Sequence, residues 1–251
     1  MSSDRTHNDK KTIVEVRDLK RVYQQGENKV HALRGVSLDI SEGEFTAFMG
    51  PSGSGKTTLL NMIGALDRPT EGSVQVAGLG LETLSDKERA TLRRDQVGFI
   101  FQSYNLLPVL TAYENAEFVL LVRGVPESTR RAKVMELLEA VGLAEMANRR
   151  PSELSGGQQQ RVAIARAMAG EPKLILADEP TANLDSQTSA SLIELMRTLN
   201  EERGITFLFS THDPMIMDAA RRVIKLVDGE INHDSEETSA HGHSEHVETE
   251  K

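Results

Sequence analysis

Short apolar runs recur along the chain between longer segments with helical spacing. Residues 36–40 alternate between apolar and polar side chains, which predicts a half-buried strand, and residues 13–16 belong to another. Residues 44–49 form an apolar strand that runs directly into a glycine-rich turn. Residues 174–177 and, apart from Thr206, residues 205–209 are apolar, as expected of strands covered on both faces. Further strands are predicted at residues 74–76 and 97–101.

Helical spacing separates these strands. Helices are predicted at residues 56–66, 130–141, 158–169 and 188–203, and one without sharp boundaries within residues 111–126. Strands that alternate with helices indicate an α/β fold with a mainly parallel sheet. The antiparallel-looking segment 12–45 predicts a smaller β layer beside it.

Composition narrows the class of protein. Hydrophobic residues make up 38% of the 251 residues and charged residues 27%, which is typical of a globular chain. No apolar run approaches the roughly 20 residues that span a bilayer, and the first eleven residues are too polar for a secretion signal. The absence of cysteine fits a reducing compartment. We therefore expect a chain that is made and retained in the cytosol.

The net charge of −9 is unevenly distributed. Residues 232–251 hold six carboxylates, one lysine and four of the seven histidines, which predicts a disordered acidic tail. His233, His241, His243 and His246 leave open a second interpretation, namely binding of Zn²⁺ or Ni²⁺. The remaining chain is also acidic, which argues against non-specific nucleic-acid binding.

A phosphate-binding loop is predicted where the apolar strand 44–49 ends. Residues 50–57, here called the phosphate loop, have the spacing G-x-x-x-x-G-K-[ST] between a strand and a helix. Glycines let successive backbone N–H groups point at phosphate oxygens, and the helix adds its positive end. A flexible Gly/Ser turn could match by chance, but the flanking elements favour nucleotide binding. The expected nucleotide-binding residues here are Gly50, Pro51, Ser52, Gly53, Ser54, Gly55, Lys56, Thr57 and Thr58.

Within the phosphate loop, Lys56 is expected to reach the β- and γ-phosphates and the Thr57 hydroxyl to bind Mg²⁺. Two acids, Asp178 and Glu179, follow the buried strand 174–177. Asp178 would hold Mg²⁺ beside Thr57, and Glu179 would orient or deprotonate the attacking water. Acidic residues also follow strands as helix caps. The catalytic interpretation of this pair therefore depends on the presence of the phosphate loop in the same chain.

A third motif is a helix start that fits an anion. Ser155 and Gln158 match the S-x-x-Q capping box, and Gly156 and Gly157 lie between them. Glycines strip side chains from a helix N-terminus, which lets a ligand approach the backbone. Because one ATP has one terminal phosphate, this second site would serve the ATP held by another copy of the chain. The motif could equally be a capped helix and no more.

Taken in this order, the motifs resemble the nucleotide-binding subunit of the ABC transporter superfamily. Residues 154–158, here called the signature segment, continue into a sequence similar to the superfamily's signature. The match covers about residues 12–231, with a flexible N-terminus at 1–11 and the tail at 232–251. It implies a P-loop NTPase fold with a mainly parallel sheet, an antiparallel β subdomain and a helical signature subdomain.

Other residues acquire roles only through this resemblance. Tyr23 resembles the aromatic residue that stacks on adenine, although it could be an ordinary surface aromatic. Gln102 resembles the glutamine that contacts Mg²⁺ and water and faces the membrane partner. Residues 183–185 resemble the loop that crosses the dimer interface. His212 resembles the histidine that contacts the γ-phosphate, although a capping or core histidine would fit its position.

One branch of the superfamily is similar to this chain in the sequence around these motifs. Residues 66–72, 98–108 and 177–185 are similar to the lipoprotein-releasing and macrolide-exporting branch, except that Ala182 replaces an expected glycine. That branch implies permeases with large extracytoplasmic domains and mechanical work across the membrane.

The resulting hypothesis is a homodimer that closes around two ATP at the cytoplasmic face of the cell membrane. ATP and Mg²⁺ are the expected cofactors, and Glu179, His212 and Lys56 the expected catalytic residues. The alternative is a soluble ABC ATPase acting on DNA or ribosomes. Lys56 and Asp178 are only about 120 residues apart without a heptad insertion, which argues against the DNA-repair type. Lipoprotein release, drug or peptide export and division signalling all remain open.

Overall fold

The structure is a computed structural model that describes residues 11–235, apart from the side chain of Gln25. The strands are β1 (Thr12–Gln25), β2 (Asn28–Ser41), β3 (Phe45–Met49), β4 (Glu71–Val76), β5 (Leu79–Gly80), β6 (Val97–Phe101), β7 (Leu174–Asp178), β8 (Thr206–Thr211), β9 (Arg222–Val227) and β10 (Glu230–Asp234). The helices are α1 (Lys56–Ile63), α2 (Asp86–Gln96), α3 (Ala112–Val122), α4 (Glu127–Ala140), α5 (Gly156–Ala169), α6 (Ser186–Arg203) and α7 (Pro214–Ala219).

Two sheets organise these elements. The larger sheet has the order β10-β9-β3-β8-β7-β6 and is parallel except for the pairing of β10 with β9. The smaller sheet, β2-β1-β4-β5, is antiparallel. The predicted α/β fold with a mainly parallel sheet and an antiparallel subdomain is therefore confirmed.

The core lies in two layers on either side of the larger sheet. One layer joins the sheet to α3, α4, α5 and α6 and contains the ring cluster of Phe45, Phe207 and Phe209. The other fills the space between the two sheets and holds α1, with Phe48 and Leu208 facing it. Since β7 and β8 are covered on both faces, the apolar runs 174–177 and 207–209 within them are explained. The helices α3, α4 and α5 form the predicted helical subdomain.

Several elements of the structure were not predicted from the sequence. Helix α2 is strongly polar, and its buried residues are Arg89 and Leu92. Helix α1 ends at Ile63, before the predicted residue 66, because Ala65 takes a left-handed backbone conformation (φ 54°). Helix α7 and strands β9 and β10 were also missed. Within residues 11–235, no helix combines the length and apolarity that a membrane span requires.

The predicted boundary between the domain and its tail at residue 232 needs correction. Strand β10 continues to Asp234, which is 5% exposed and bonded through both carboxylate oxygens to the Arg222 guanidinium (3.0 and 2.7 Å). A buried ion pair thus orders a segment whose polar composition resembled a tail. The remainder of both predicted termini, 1–10 and 236–251, including His241, His243 and His246, lies outside the described residues; His233 is in β10.

Candidate active site

Many of the predicted site residues meet at the carboxyl edge of the larger sheet. Strands β3, β6, β7 and β8 are neighbours or near-neighbours in it, and each ends at this edge. The residues that follow or end them are Gly50, Gln102, Asp178, Glu179 and His212. A cleft of about 740 Å³ opens there. It is lined by Tyr23, Val30, His31, Ala32, Gly50, Pro51, Ser52, Gly53, Ser54, Gly55, Lys56, Thr57, Thr58, Gln102, Glu179 and His212.

The backbone of the phosphate loop can be formed only by glycine at two positions. Gly50 and Gly55 have φ angles of 154° and 103°. A Cβ on Gly50 would lie 2.2 Å from the carbonyl oxygen of Leu226, and one on Gly55 would lie 2.6 Å from that of Ala32. The phosphate loop therefore packs closely against β9 and β2, and this packing fixes the orientation of its backbone at the cleft.

Lys56, the first residue of α1, has its ammonium group within the phosphate loop. Its Nζ donates hydrogen bonds to the carbonyl oxygens of Gly50 (2.7 Å) and Pro51 (3.0 Å), and the residue is 8% exposed. An ammonium has three donors, so one N–H remains for a phosphate oxygen. The carbonyl bonds thus orient the charge of Lys56 where the helix N-terminus already favours an anion.

Thr57 and Asp178 are brought together from positions 121 residues apart. The Thr57 hydroxyl donates to Asp178 Oδ1 at 2.9 Å. A hydroxyl and a carboxylate oxygen are the hard ligands that Mg²⁺ prefers, and Mg²⁺ usually completes its shell with water and phosphate oxygens. No group of three or more His, Cys, Asp or Glu suited to a metal occurs in residues 11–235, so a cage made of protein alone is not found in this part of the chain. The donor set fits a metal ion that arrives with a nucleotide.

Glu179 and His212 form the second pair at the cleft. His212 Nδ1 lies 2.8 Å from Glu179 Oε1. The Glu179 side chain is 17% exposed and that of His212 is 74% exposed, so the histidine covers the carboxylate from the solvent side. Glu179 also has a left-handed backbone (φ 46°), which its N–H supports by donating to the Ser210 carbonyl at 2.8 Å. Such strain at a carboxylate beside a cleft is typical of a functional site.

Tyr23 borders the opposite end of the cleft. Its position in β1 pairs it with Val30 of β2, and both residues line the cleft. The Tyr23 hydroxyl donates to Asp67 Oδ2 at 2.9 Å, and the Arg21 guanidinium lies 4.4 Å from the ring centroid. The ring is thereby held from its edge and from one face, which leaves it suited to stacking on a planar base.

The segment after Gln102 is connected to helix α5. Tyr104 and Asn105 both have left-handed backbones (φ 61° and 49°). Arg166 of α5 donates to both of their carbonyl oxygens, and burial lowers the pKa of this guanidinium. The Gln102 carbonyl in turn accepts a hydrogen bond from Asn183 Nδ2 at 3.0 Å. Gln102 therefore contacts the loop 183–185 directly, and the two residues that follow Ser103 connect the same segment to the signature helix.

The signature segment is capped as predicted but lies away from the cleft of its own chain. Gln158 N donates to Ser155 Oγ (3.3 Å) and Ser155 N donates to Gln158 Oε1 (2.9 Å). None of its residues lines the cleft. A Cβ on Gly156 would lie 2.8 Å from Tyr104 Oη, and one on Gly157 would lie 2.5 Å from Thr188 Cγ2. Close packing is thus a second reason for the two glycines, besides the approach of a ligand.

Sequence reasoning missed the parts of the site that carry no motif. Residues 30–32 line the cleft only because β2 pairs with β1. Asp67 lies in a polar loop, and nothing near it in the sequence points to Tyr23. Gln160 is fully buried and donates to the Pro180 carbonyl at 2.7 Å, which ties α5 to the turn after Glu179. These contacts join segments far apart in the chain, so no local pattern could reveal them.

Comparison with known proteins identifies the family. The sequence profile of the ABC transporter family matches residues 33–182. The chain belongs to the ABC transporter family. It is an ATP-binding, ATP-hydrolysing subunit, as the resemblance of its motifs implied.

Its relatives come from the predicted branch. An uncharacterised ABC transporter ATP-binding protein of Thermotoga maritima is 49% identical over 88% of this chain and 94% of its own. The lipoprotein-releasing system ATP-binding protein LolD of Geobacter metallireducens is 46% identical over 88% of this chain and 98% of its own. The macrolide export ATP-binding/permease protein MacB of Syntrophobacter fumaroxidans is 47% identical over 89% of this chain. The match covers 32% of MacB, so the chain spans about a third of that relative.

Solved structures agree with the fold. The dimeric ATP-binding cassette MJ0796, in a post-hydrolysis state bound to ADP and phosphate, superposes with a TM-score of 0.83. It is 45% identical, and the match covers 89% of this chain and 98% of that one. Among these relatives nothing supports the alternative of a soluble ATPase acting on DNA or ribosomes, so that interpretation is set aside.

Proposed function

We propose that two copies of this ABC subunit close around two ATP molecules and use hydrolysis to drive a membrane permease with extracytoplasmic domains. The observation that carries the proposal is the convergence of Lys56, the Thr57–Asp178 pair and the Glu179–His212 pair on one cleft. In this proposal each of these groups has a separate task in phosphoryl transfer.

Binding uses the length of the cleft. Tyr23 stacks on the base at one end, and the phosphate loop surrounds the phosphates at the other. The remaining N–H of Lys56 is directed to the β- and γ-phosphates. Thr57, Asp178 and the nearby Gln102 would hold Mg²⁺, which supplies charge neutralisation to the phosphates. Base stacking contributes about 1–3 kcal/mol to binding, but it does not depend on the number of phosphates. Most of the specificity for a triphosphate therefore comes from the phosphate loop.

Hydrolysis uses the second pair. With one Glu179 oxygen bonded to His212 Nδ1, the other is available to accept a proton from water. The water oxygen bonds to the γ-phosphorus while the bond from that phosphorus to the bridging oxygen breaks, which releases ADP and phosphate. His212 is exposed and lines the cleft, and in this proposal its Nε2 contacts the γ-phosphate.

Closure uses a second copy. The N–H groups at the start of α5 and the Ser155 side chain lie outside their own cleft, so within one chain they have no phosphate to bind. In the proposed dimer, Ser155, Gly156, Gly157 and Gln158 cover the γ-phosphate of the partner's ATP. Hydrolysis removes the phosphate that joins the halves, and the dimer opens. The dimeric MJ0796 cassette supports this arrangement.

An apolar surface next to Gln102 supports a membrane partner. Leu107 and Val109 are 43% and 74% exposed, and Phe118, Leu121 and Val122 of α3 are also exposed. Exposed apolar residues grouped along one segment indicate a protein contact. LolD and MacB are named for lipoprotein release and macrolide export, which supports a permease partner of that kind and a peripheral location at the cytoplasmic face of the cell membrane.

The chemistry is tested by Glu179→Gln. This variant keeps the side-chain shape and loses the base, so ATP binding is expected to persist while steady-state turnover falls by about 100-fold or more. Dimers trapped by ATP should accumulate and be visible by light scattering. Turnover at the wild-type rate would refute the role of Glu179.

The membrane role is tested by affinity purification. Tagged Glu179→Gln protein is purified with ATP from gently solubilised membranes, and co-purifying chains are identified by mass spectrometry. A permease with a large extracytoplasmic domain is expected, and Val109→Glu should abolish its recovery. Leu79→Glu is the matched control, because Leu79 is similarly apolar and 47% exposed but lies in β5 of the other sheet. Recovery of soluble partners alone would overturn the membrane role and leave the ATPase assignment intact.

A further inference from the structure

The loop that follows α1 is attached to the strand that carries Tyr23. Thr70 N donates to the Lys20 carbonyl (2.9 Å), and Val22 N donates to Thr70 Oγ1 (3.0 Å). Asp67, in the same loop, accepts the Tyr23 hydroxyl at 2.9 Å. These contacts tie the end of the phosphate-binding helix to the base end of the cleft.

The contacts of Asp67 hold the hydroxyl edge of the Tyr23 ring. One carboxylate oxygen accepts a hydrogen bond from Tyr23 Oη. The other accepts one from the Arg68 backbone N–H (2.7 Å) and forms an ion pair with Arg21 (3.0 Å). The backbone carbonyl of Asp67 accepts a hydrogen bond from Arg89. The Arg21 guanidinium lies over the Tyr23 ring, and Arg21 does not line the cleft. One face of the ring is therefore covered by a cation, while Tyr23 itself lines the cleft.

Helix α2 holds this loop in place through hydrogen bonds from two of its arginines. Arg89 is 3% exposed and donates to the carbonyl oxygens of Ala65 and Asp67, and Arg93 donates to that of Ala65 at 2.7 Å. A buried guanidinium is costly to leave unpaired, so these carbonyls cannot move without losing its bonds. Asp67 is consequently held in a fixed relation to α1, whose first residues are Lys56 and Thr57.

We propose that Asp67 is a positioning residue for nucleotide binding, which holds the Tyr23 ring at a set distance from the phosphate loop so that base and phosphates are bound together. The proposal rests on the stacking role of Tyr23 given above. Asp67 does not line the cleft, so its effect on the nucleotide would be exerted through Tyr23. Its contribution is preorganisation, because a ring already held in place loses less conformational freedom when the base binds.

The experiment measures equilibrium binding in the Glu179→Gln background, where ATP is not consumed. Two probes are titrated by calorimetry, namely Mg-ATP and inorganic tripolyphosphate, which lacks the base. Asp67→Asn should weaken the binding of ATP about fivefold, which corresponds to a part of the stacking free energy. The affinity for tripolyphosphate should remain unchanged. Tyr23→Phe removes the hydroxyl and keeps the ring, so it should weaken ATP similarly. Combined with Asp67→Asn it should add little further loss, since both changes break one interaction.

Two further variants separate the possible failures. Tyr23→Ala tests stacking itself, and Asp86→Asn is the matched control, because Asp86 pairs with Arg68 nearby and does not touch Tyr23. If Tyr23→Ala weakens ATP while Asp67→Asn does not, the positioning role is refuted and stacking stands. If Tyr23→Ala leaves ATP affinity unchanged, stacking fails and the inference fails with it. Equal loss of ATP and tripolyphosphate affinity in Asp67→Asn would show a general disturbance of the loop and would also overturn the proposal.

Discussion

The hydroxyl of Tyr104 lies 2.8 Å from the position that a Cβ on Gly156 would occupy. Tyr104 belongs to the segment after Gln102, and Gly156 is the first residue of α5. The Tyr104 backbone cannot easily withdraw, because its left-handed conformation is held by Arg166. A Cβ at residue 156 would therefore require the Tyr104 side chain or the start of α5 to move.

Gly156→Ala should lower turnover about tenfold or more, because the clash displaces the start of α5 from its working position. Tyr104→Phe in the same chain should restore most of the loss by removing the oxygen that clashes. Steady-state ATPase assays of both single variants and the double variant measure this. Absence of recovery in the double variant would show that ligand approach, rather than Tyr104, limits the size of residue 156.

Thr57→Val should abolish most of the ATPase activity, since the nearly isosteric side chain loses the hydroxyl that meets Asp178. A fall of about 100-fold is expected for a lost metal ligand, with partial recovery at raised Mg²⁺. Thr57→Ser is the matched control, because it retains the hydroxyl and should remain within a few-fold of wild type. Equal activity of the two variants would contradict the assigned role of the Thr57 oxygen.

Gly98→Ala should destabilise the domain by about 1–3 kcal/mol through overpacking. A Cβ there would lie 2.7 Å from the carbonyl oxygen of Ala167 in α5, and a backbone atom inside a helix cannot move aside cheaply. Gly80→Ala is the control, since the nearest atom to its Cβ would be a Glu82 carboxylate oxygen at 3.5 Å. Urea denaturation followed by circular dichroism gives both values; equal midpoints would refute the packing argument.

Asp185→Asn should remove a pH-dependent part of the stability. Hydrogen bonds from the side chain of Thr188 (2.6 Å) and its backbone N–H (2.9 Å) hold the pKa of Asp185 below its usual value of 3.8. Because the pKa is lower in the folded state, the contribution is present above the unfolded value and is lost as pH falls through the folded one.

The free energy of unfolding of wild type should therefore exceed that of Asp185→Asn near neutral pH, and the difference should shrink below about pH 4. Urea titrations at several pH values check this, with the exposed residue Asp218 of α7 changed to Asn as a control. A difference that does not vary with pH would contradict the interpretation.

The sequence alone determined the order of elements and the chemistry of the phosphate loop. Gly50 and Gly55 are required by backbone geometry, and the apolar runs of β7 and β8 follow from burial on both faces. These features are local, since they depend on residues that are neighbours in the chain. The family resemblance added roles for Tyr23 and His212 that no local pattern supports.

Only the tertiary structure decided which distant groups meet. The Thr57–Asp178 contact joins residues 121 apart, and the contact from Tyr23 to Asp67 depends on how a loop lies against β1. The last three residues of β10, 232–234, were assigned to a tail because composition does not reveal the ion pair between Arg222 and Asp234. Periodicity reports which residues are buried, whereas the pairing of polar groups is set by the packing of whole elements. That is why the fold could be predicted from the sequence, whereas many of the contacts that hold the site residues in place could not.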